Sequence, residues 1–257
     1  MKILHLADLH LGKRVNEFSM LEDQRYILNQ ILDIVEEEAV EVVMICGDVY
    51  DKGIPPVDAI ELLDDFLWKL AEKDCRTLMI SGNHDSGDRL GFGKQLFQNS
   101  NLFIVSQFSG EIEKITIPCG NLPVNFYMLP FVKPVIVNQS LGIHTQSYQE
   151  CLRYLIEHTK IDPEEMNLLM AHQFVTAGKE NPELSDSETS SLGGIDNVDY
   201  RIFDPFDYVA LGHIHKPQAM GRPQVRYSGS ILKYSFSEIR KEKEVVLLHI
   251  EENKKME

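Results

Sequence analysis

Val42-Val43-Met44-Ile45-Cys46-Gly47-Asp48 is the stretch on which the fold turns. Consecutive apolar residues over a strand's length, with no polar alternation, describe a strand covered on both faces. The run stops at a glycine followed by a carboxylate. The same design recurs on either side of it. Ile3 to Ala7 leads into Asp8-Leu9-His10, and Thr77 to Ile80 into Ser81-Gly82-Asn83-His84-Asp85. Asn167 to Ala171 ends at His172-Gln173, and Tyr208 to Leu211 at Gly212-His213-Ile214-His215. Strands of this kind need layers packed on both sides, so the pattern predicts an α/β protein.

The segments between these strands supply the helices. Ser19-Met20-Leu21-Glu22 reads as a capping box before a helix that places Leu28, Ile31, Leu32 and Val35 on one face. Glu36, Glu37 and Glu38 form its solvated end. Pro55-Pro56 opens a second helix over 56–72, with Ile60, Leu63, Leu67 and Leu70 on one face and Leu62 and Phe66, with Trp68 nearby, off it. That helix reads as deeply buried; the alternative is a second face packed on another subunit. A short helix is expected over 89–98, weakened by Gly91 and Gly93, and Pro130 and Pro134 bracket a loop. Gln146 to His158 shows helical spacing of Tyr148, Cys151, Leu152, Leu155 and Ile156. Further strands are expected at 102–105, 111–117, 124–129, 225–228 and 245–250, the last two finishing the sheet before a charged tail. The polar stretch 176–197 is longer than ordinary connections, which points to a functional or mobile loop. No repeat or linker divides the chain, so residues 1–257 read as one domain.

Composition narrows the function classes. With 25 Lys+Arg against 40 Asp+Glu the net charge is −15, which excludes a basic protein that coats nucleic acid or binds anionic membranes. At 43% hydrophobic and 25% charged residues the chain is ordinary globular material, so disorder is excluded. No apolar run approaches the ~20 residues of a membrane span, and Asp8 and His10 interrupt the apolar start before a signal-peptide core forms. Cys46, Cys75, Cys119 and Cys151 show no C-x-x-C pairing, as expected of reduced thiols in a cytoplasmic protein.

The chemistry lies at the strand ends. In open α/β sheets ligands gather at the carboxyl ends of the strands, so Asp8, His10, Asp48, Asn83, His84, His172, His213 and His215 can converge on one crevice. Gly47, Gly82 and Gly212 precede ligand positions and allow tight turns there, with positive φ as the expected device. His5, His144, His158 and His249 lack such surroundings and read as ordinary packing or surface residues. Such a set exceeds what one zinc takes, since its sites usually close at four ligands. It suits two divalent ions about 3.5 to 4 Å apart sharing one carboxylate. Mixed imidazole and carboxylate donors favour Mn²⁺ or another transition metal over Mg²⁺. Such a pair activates a water, holds phosphoryl oxygens and neutralises charge during phosphate ester hydrolysis.

Asp8-Leu9-His10, Gly47-Asp48-Val49-Tyr50-Asp51, Gly82-Asn83-His84-Asp85, Ala171-His172 and Gly212-His213-Ile214-His215 together resemble the calcineurin-like metallophosphoesterases. Val209 to Gln218 and Tyr227 to Glu238 are similar to the DNA-nuclease branch of that family, and the similarity covers nearly the whole chain. The resemblance implies a four-layer α-β-β-α sandwich. It implies one ion held by Asp8, His10, Asp48 and His215, and a second by Asp48, Asn83, His172 and His213, with Asp48 as the bridge. His84 would face the scissile phosphate, protonating the leaving oxygen or stabilising the transition state; Asp85 would either orient His84 or cap its loop, and Asp51 is a further contributor. The resemblance also implies DNA exonuclease and endonuclease activity, hairpin processing, roles in DNA repair or recombination, an ATPase partner subunit, and a homodimer through helices near 56–72 and 89–98. The capping domain and ATPase-binding segment of such proteins are expected to be missing, because the chain stops just after its last sheet strand. Lys13, Arg14, Lys52, Arg89, Lys133, Lys216, Arg222 and Lys233 lie near ligand loops in sequence and are candidates for DNA phosphates. Two other readings compete. One is a phosphatase or small-molecule phosphodiesterase of the same superfamily, although Asp85 stands where the phosphoprotein phosphatases carry Glu. The other is a scaffold without catalysis, against which the intact ligand set argues.

Overall fold

The computed structural model describes residues 1–188 and 196–257. Its first half runs β1 (Lys2–Leu6), β2 (Arg14–Val15), β3 (Phe18–Ser19), α1 (Leu21–Glu37), β4 (Val42–Cys46), α2 (Val57–Glu72), β5 (Arg76–Ile80), α3 (Gly87–Leu90), α4 (Lys94–Phe97) and β6 (Leu102–Val105). There follow β7 (Glu113–Cys119), β8 (Leu122–Met128), α5 (Pro134–Leu141), α6 (Tyr148–Glu157), β9 (Met166–His172), β10 (Val175–Thr176) and β11 (Val198–Asp199). The described chain ends through β12 (Tyr208–Gly212), β13 (Gln218–Met220), β14 (Arg222–Tyr227) and β15 (Val246–His249).

Two sheets carry the architecture. The first has the order β15-β1-β4-β5-β6, parallel except for β15; the second has the order β13-β14-β12-β9-β8-β7, with a parallel centre of β14, β12, β9 and β8. Alternation along β4 explains how they stack. Val42, Met44 and Cys46 point between the sheets, where they meet the core that includes Phe126, Met128, Leu168 and Met170. Val43 and Ile45 point the other way, onto Leu28, Ile31, Leu62 and Phe66 of α1 and α2. On the far side Leu169, Val209 and Leu211 pack against Val137 of α5 and Leu152 and Leu155 of α6. The result is the four-layer α-β-β-α sandwich. Each fully buried strand residue of this kind contributes about 1.5–3 kcal/mol through area removed from water.

Several local expectations are corrected. The capping box does not form: Ser19 lies in β3, α1 begins after Met20, and the Ser19 hydroxyl reaches only the Leu21 N–H at 3.4 Å. In α2, Pro56 is the cap, and the buried residues are Ala59, Leu62, Leu63, Phe66 and Leu70, while Ile60 and Trp68 face solvent. This helix is therefore half covered. The segment 89–98 breaks into α3 and α4 at Gly91 to Gly93, where Gly93 takes a positive φ. Pro134 does not close a loop; it opens α5, since a missing N–H costs nothing in a first helical turn. β15 joins the first sheet beside β1, not the sheet that holds β14, and the residues after it fold back so that His249 and Glu257 exchange backbone hydrogen bonds. Of the polar stretch 176–197, residues 189–195 lie outside the described residues.

Candidate metal centre

The parallel registers pair Leu6 with Ile45, Cys46 with Ile80, and Gly212 with His172, so the carboxyl ends of β1, β4, β5, β9 and β12 form one edge. Backbone bonds hold the loops beyond that edge in step. The N–H of Asp8 donates to the Gly47 carbonyl at 3.1 Å and that of His10 to the Asp48 carbonyl at 2.9 Å. Gln24, buried on α1, accepts from the Gly12 N–H at 3.0 Å and donates to the His10 carbonyl at 2.8 Å.

Four of the candidate ligands have a strained backbone. Asp8, His10, Asp48 and His213 all adopt positive φ, at 53°, 44°, 48° and 103°. Each such residue costs of order 1–3 kcal/mol, which only a well-determined surrounding can hold. Of the three glycines expected to bear positive φ, Gly47 does so. Gly82 and Gly212 do not; they serve close approach, because a Cβ on Gly82 would collide with Asp48 and one on Gly212 with the Cys46 carbonyl.

Two donor clusters result, and a third group of donors, His10, Asp48 and His84, spans them. Asp8, His10 and His215 form one, with His10 Nε2 and His215 Nε2 3.0 Å apart. Asp48, His172 and His213 form the other, and the Asn83 Oδ1 atom lies 3.1 Å from His172 Nε2 and 2.9 Å from His213 Nδ1. Asp48 stands between them. Its Oδ2 lies 3.3 Å from His172 Nε2 and 3.7 Å from His10 Nε2, while its Oδ1 accepts the His84 N–H at 2.9 Å. Asp8 is fixed by the His213 N–H, which reaches its two oxygens at 3.0 and 3.1 Å. His172 Nδ1 is turned to the Cys46 carbonyl at 2.9 Å, so it carries the proton and Nε2 faces inward.

The electrostatics call for cations. Asp8 and Asp48 are buried, and among the described residues neither pairs with a Lys or Arg. Burial pushes the Asp8 carboxyl well above the carboxylate range. Burial would also raise Asp48, but the imidazoles of His172, His10 and His84 outweigh it and hold Asp48 low. Burial alone would lower His172, yet Asp48 and Asp8 bring it up to about 9. Burial pushes His213 down to about 4 and lowers His10 and His215, leaving neutral imidazoles with free lone pairs. Two buried carboxyl groups, the neutral imidazoles of His10, His213 and His215 and the Asn83 amide oxygen fit two divalent ions sharing Asp48, which would take the place of the protons on Asp8 and His172. His10 Nδ1, buried without a hydrogen bond 3.6 Å from Asp51 Oδ1, fits the same picture as the outward nitrogen of a ligand.

His84 differs from the rest. Its side chain is 40% exposed, and its Nδ1 donates to the Asp51 carbonyl at 2.9 Å, so Nε2 faces the cleft above Asp48 at 4.0 Å. Asp85, for which two roles were open, is the loop cap: its carboxylate accepts N–H bonds from Val49, Tyr50 and Gly82 at 3.1, 2.9 and 2.8 Å. The group that orients His84 is the Asp51 backbone, and the Asp51 carboxylate pairs with Lys13 at 2.7 Å. Of the basic residues, Arg222 is committed to the carbonyls of Phe203 and Phe206, and Lys216 pairs with Glu183. Lys52 and Lys133 are exposed, and Arg89, also solvent-facing, donates to the Gly53 carbonyl. His5 is a satisfied core residue between Tyr208 and the Leu211 carbonyl, as its sequence context suggested. Sequence reasoning missed Gln24 and Tyr234, whose hydroxyl donates to the Leu9 carbonyl at 2.5 Å, although Tyr234 falls within the nuclease-like segment 227–238.

The calcineurin-like phosphoesterase family pattern matches residues 1–217. The D subunit of the nuclease SbcCD from Staphylococcus epidermidis (strain ATCC 12228 / FDA PCI 1200) is 39% identical over 260 residues, covering 98% of this chain and 67% of that protein. A solved crystal structure with 11% sequence identity superposes at a TM-score of 0.50 over 89% of this chain and 90% of its own, a likeness of fold alone.

Proposed function

Because this chain belongs to the calcineurin-like phosphoesterase family, we propose that it is a two-metal nuclease that hydrolyses phosphodiester bonds of DNA. The observation that carries the two-metal reading is Asp48 Oδ2, set between His10 Nε2 and His172 Nε2. In this reading Asp8, His10, Asp48 and His215 hold one ion, and Asp48, Asn83, His172 and His213 the other, with Mn²⁺ the best match to the donors. The ions would supply a nucleophile at neutral pH and neutralise charge on the phosphoryl oxygens. His84 then works on the open side of the cleft. With Nδ1–H held by the Asp51 carbonyl, the imidazolium form of His84 would carry its second proton on Nε2 and pass that proton to the departing oxygen, returning to the neutral ring. Asp85 contributes by locking the loops after β4 and β5 together, which sets His84 relative to Asp48.

DNA as substrate, work in repair or recombination, and partnership with an SbcC-like ATPase are supported by the similarity to the D subunit of the nuclease SbcCD. Residues 1–257 supply the catalytic domain in this reading. A homodimer is supported by α2 and the α3–α4 segment, where Ile60, Trp68, Phe92 and Leu96 leave a wide apolar surface exposed. A chain of net charge −15 holds DNA locally, through the metal centre and neighbouring cations such as Lys13 and Lys52, and not through its overall field. The test compares cleavage of hairpin and single-stranded oligonucleotides with that of phosphomonoesters in Mn²⁺. Oligonucleotide cleavage is expected. Turnover of monoesters with DNA untouched would replace this reading with a phosphatase.

A further inference from the structure

Residues Ser185 to Glu188, from the long polar stretch after β10, cross behind His215. Ser187 Oγ lies 2.9 Å from His215 Nδ1 and 3.2 Å from Glu238 Oε1. Glu188 Oε1 accepts the backbone N–H of His215 at 2.5 Å, and its other oxygen accepts the Ser185 hydroxyl at 2.8 Å. Glu238 is 1% exposed and pairs with Lys243 Nζ at 2.5 Å. Lys243 also donates to the His215 carbonyl at 2.9 Å and to Ser230 Oγ at 2.7 Å. Every polar atom of His215 except Nε2 is thus tied down from behind. Nε2 is left to face His10.

The proton bookkeeping selects one arrangement. A serine hydroxyl has one proton; besides His215 its reach holds the Ser185 hydroxyl at 2.8 Å, which spends its own proton on Glu188, and the charged Glu238 carboxylate at 3.2 Å, which can only accept and is the stronger acceptor. Ser187 Oγ then has lone pairs to offer, so the hydrogen it shares with His215 belongs to Nδ1. The imidazole is held in the tautomer whose Nε2 lone pair points into the centre. The geometry points to Ser187, backed by the Glu238–Lys243 pair, as a positioning residue that fixes the tautomer and aim of His215. The assignment rests on His215 being a metal ligand, as proposed above. A carboxylate acting on a ligand histidine through a hydroxyl raises the basicity of the coordinating nitrogen, as a direct carboxylate partner does.

The experiment is a Mn²⁺ titration of the whole chain by calorimetry, with ¹⁵N spectra of the histidine side chains recorded on the metal-free protein. The wild type is expected to take up two ions and to show His215 protonated on Nδ1. In Ser187→Ala one site should weaken about 10- to 100-fold while the other keeps its affinity, and the His215 spectrum should become a tautomer mixture. Unchanged affinities with an unchanged tautomer would overturn the role of Ser187 while leaving the two-metal reading intact. Equal weakening of both sites would also overturn it, since the effect would then be general. A wild-type chain that binds fewer than two ions would overturn the two-metal reading first, and this assignment with it.

Discussion

His84→Gln removes the exposed imidazole and leaves the buried donors in place, so metal uptake should persist while cleavage falls about 10²- to 10⁴-fold. Calorimetric metal stoichiometry beside an oligonucleotide assay separates the two effects; parallel loss of metal would make His84 a ligand. Asp48→Ala tests the opposite kind of residue. Its Oδ2 serves both clusters, so both sites should weaken together, and a variant that still binds one ion with wild-type affinity would contradict the bridge. The candidate ligands could be read along the chain because each lies just beyond an apolar strand. Their backbone state could not. Positive φ on Asp8, His10, Asp48 and His213 costs free energy locally and persists through bonds from other elements, such as His10 N–H to the Asp48 carbonyl.

At the level of elements, the loops after β4 and β5 touch so closely that Gly82 has no room for a side chain beside Asp48. Gly82→Ala should therefore destabilise the fold by about 1–3 kcal/mol and weaken metal binding. Gly53→Ala, where a Cβ meets only ordinary contacts at 3.6 Å and beyond, should change stability by less than about 0.5 kcal/mol. Urea denaturation of the two variants makes the comparison, and equal stabilities would refute the close-packing argument. α2 raises a different question. Helical spacing alone marked it as apolar on more than one face, but which face meets β4 and β5 depends on the helix's rotation against the sheet. That rotation buries Phe66 and Leu70 and leaves Ile60 and Trp68 outside. Trp68→Glu should shift the protein from dimer to monomer in light-scattering chromatography without loss of helix content; a wild type that is already monomeric at micromolar concentration would remove the proposed interface.

Across the whole molecule, His5 joins the two sheets, lying on β1 with Tyr208 OH at 3.0 Å and the Leu211 carbonyl at 3.2 Å from its ring nitrogens. Burial pushes its pKa down to about 3, although the Leu211 carbonyl opposes the shift. The native state keeps His5 neutral, whereas the unfolded chain binds a proton below about 6.5. The stability tied to His5 is thus complete above pH 6.5 and is lost as pH falls towards 3, at about 1.4 kcal/mol per pH unit. Urea denaturation of the metal-free protein between pH 7.5 and 4.5 reads the total slope, to which the buried His10, His213 and His215 also contribute, and His5→Gln should reduce that slope by about this amount. Equal slopes in both proteins would mean that His5 takes up its proton without opening the sandwich.

What the sequence by itself determined is the set of strands and the residues at their ends, because burial on both faces writes a continuous apolar run and chemistry writes His, Asp and Asn directly after it. It also determined the polar stretch near 176–197 as exceptional by length. Only the tertiary structure decided which of those ends meet, through the parallel registers that align Leu6 with Ile45, Cys46 with Ile80 and Gly212 with His172. It alone brought Gln24, Asp51, Ser187 and Glu238 behind the ligands, since hydrogen bonds spanning up to 51 residues leave no periodicity in the chain. Local free energy selects elements, and the closing of distant loops on one another selects the site.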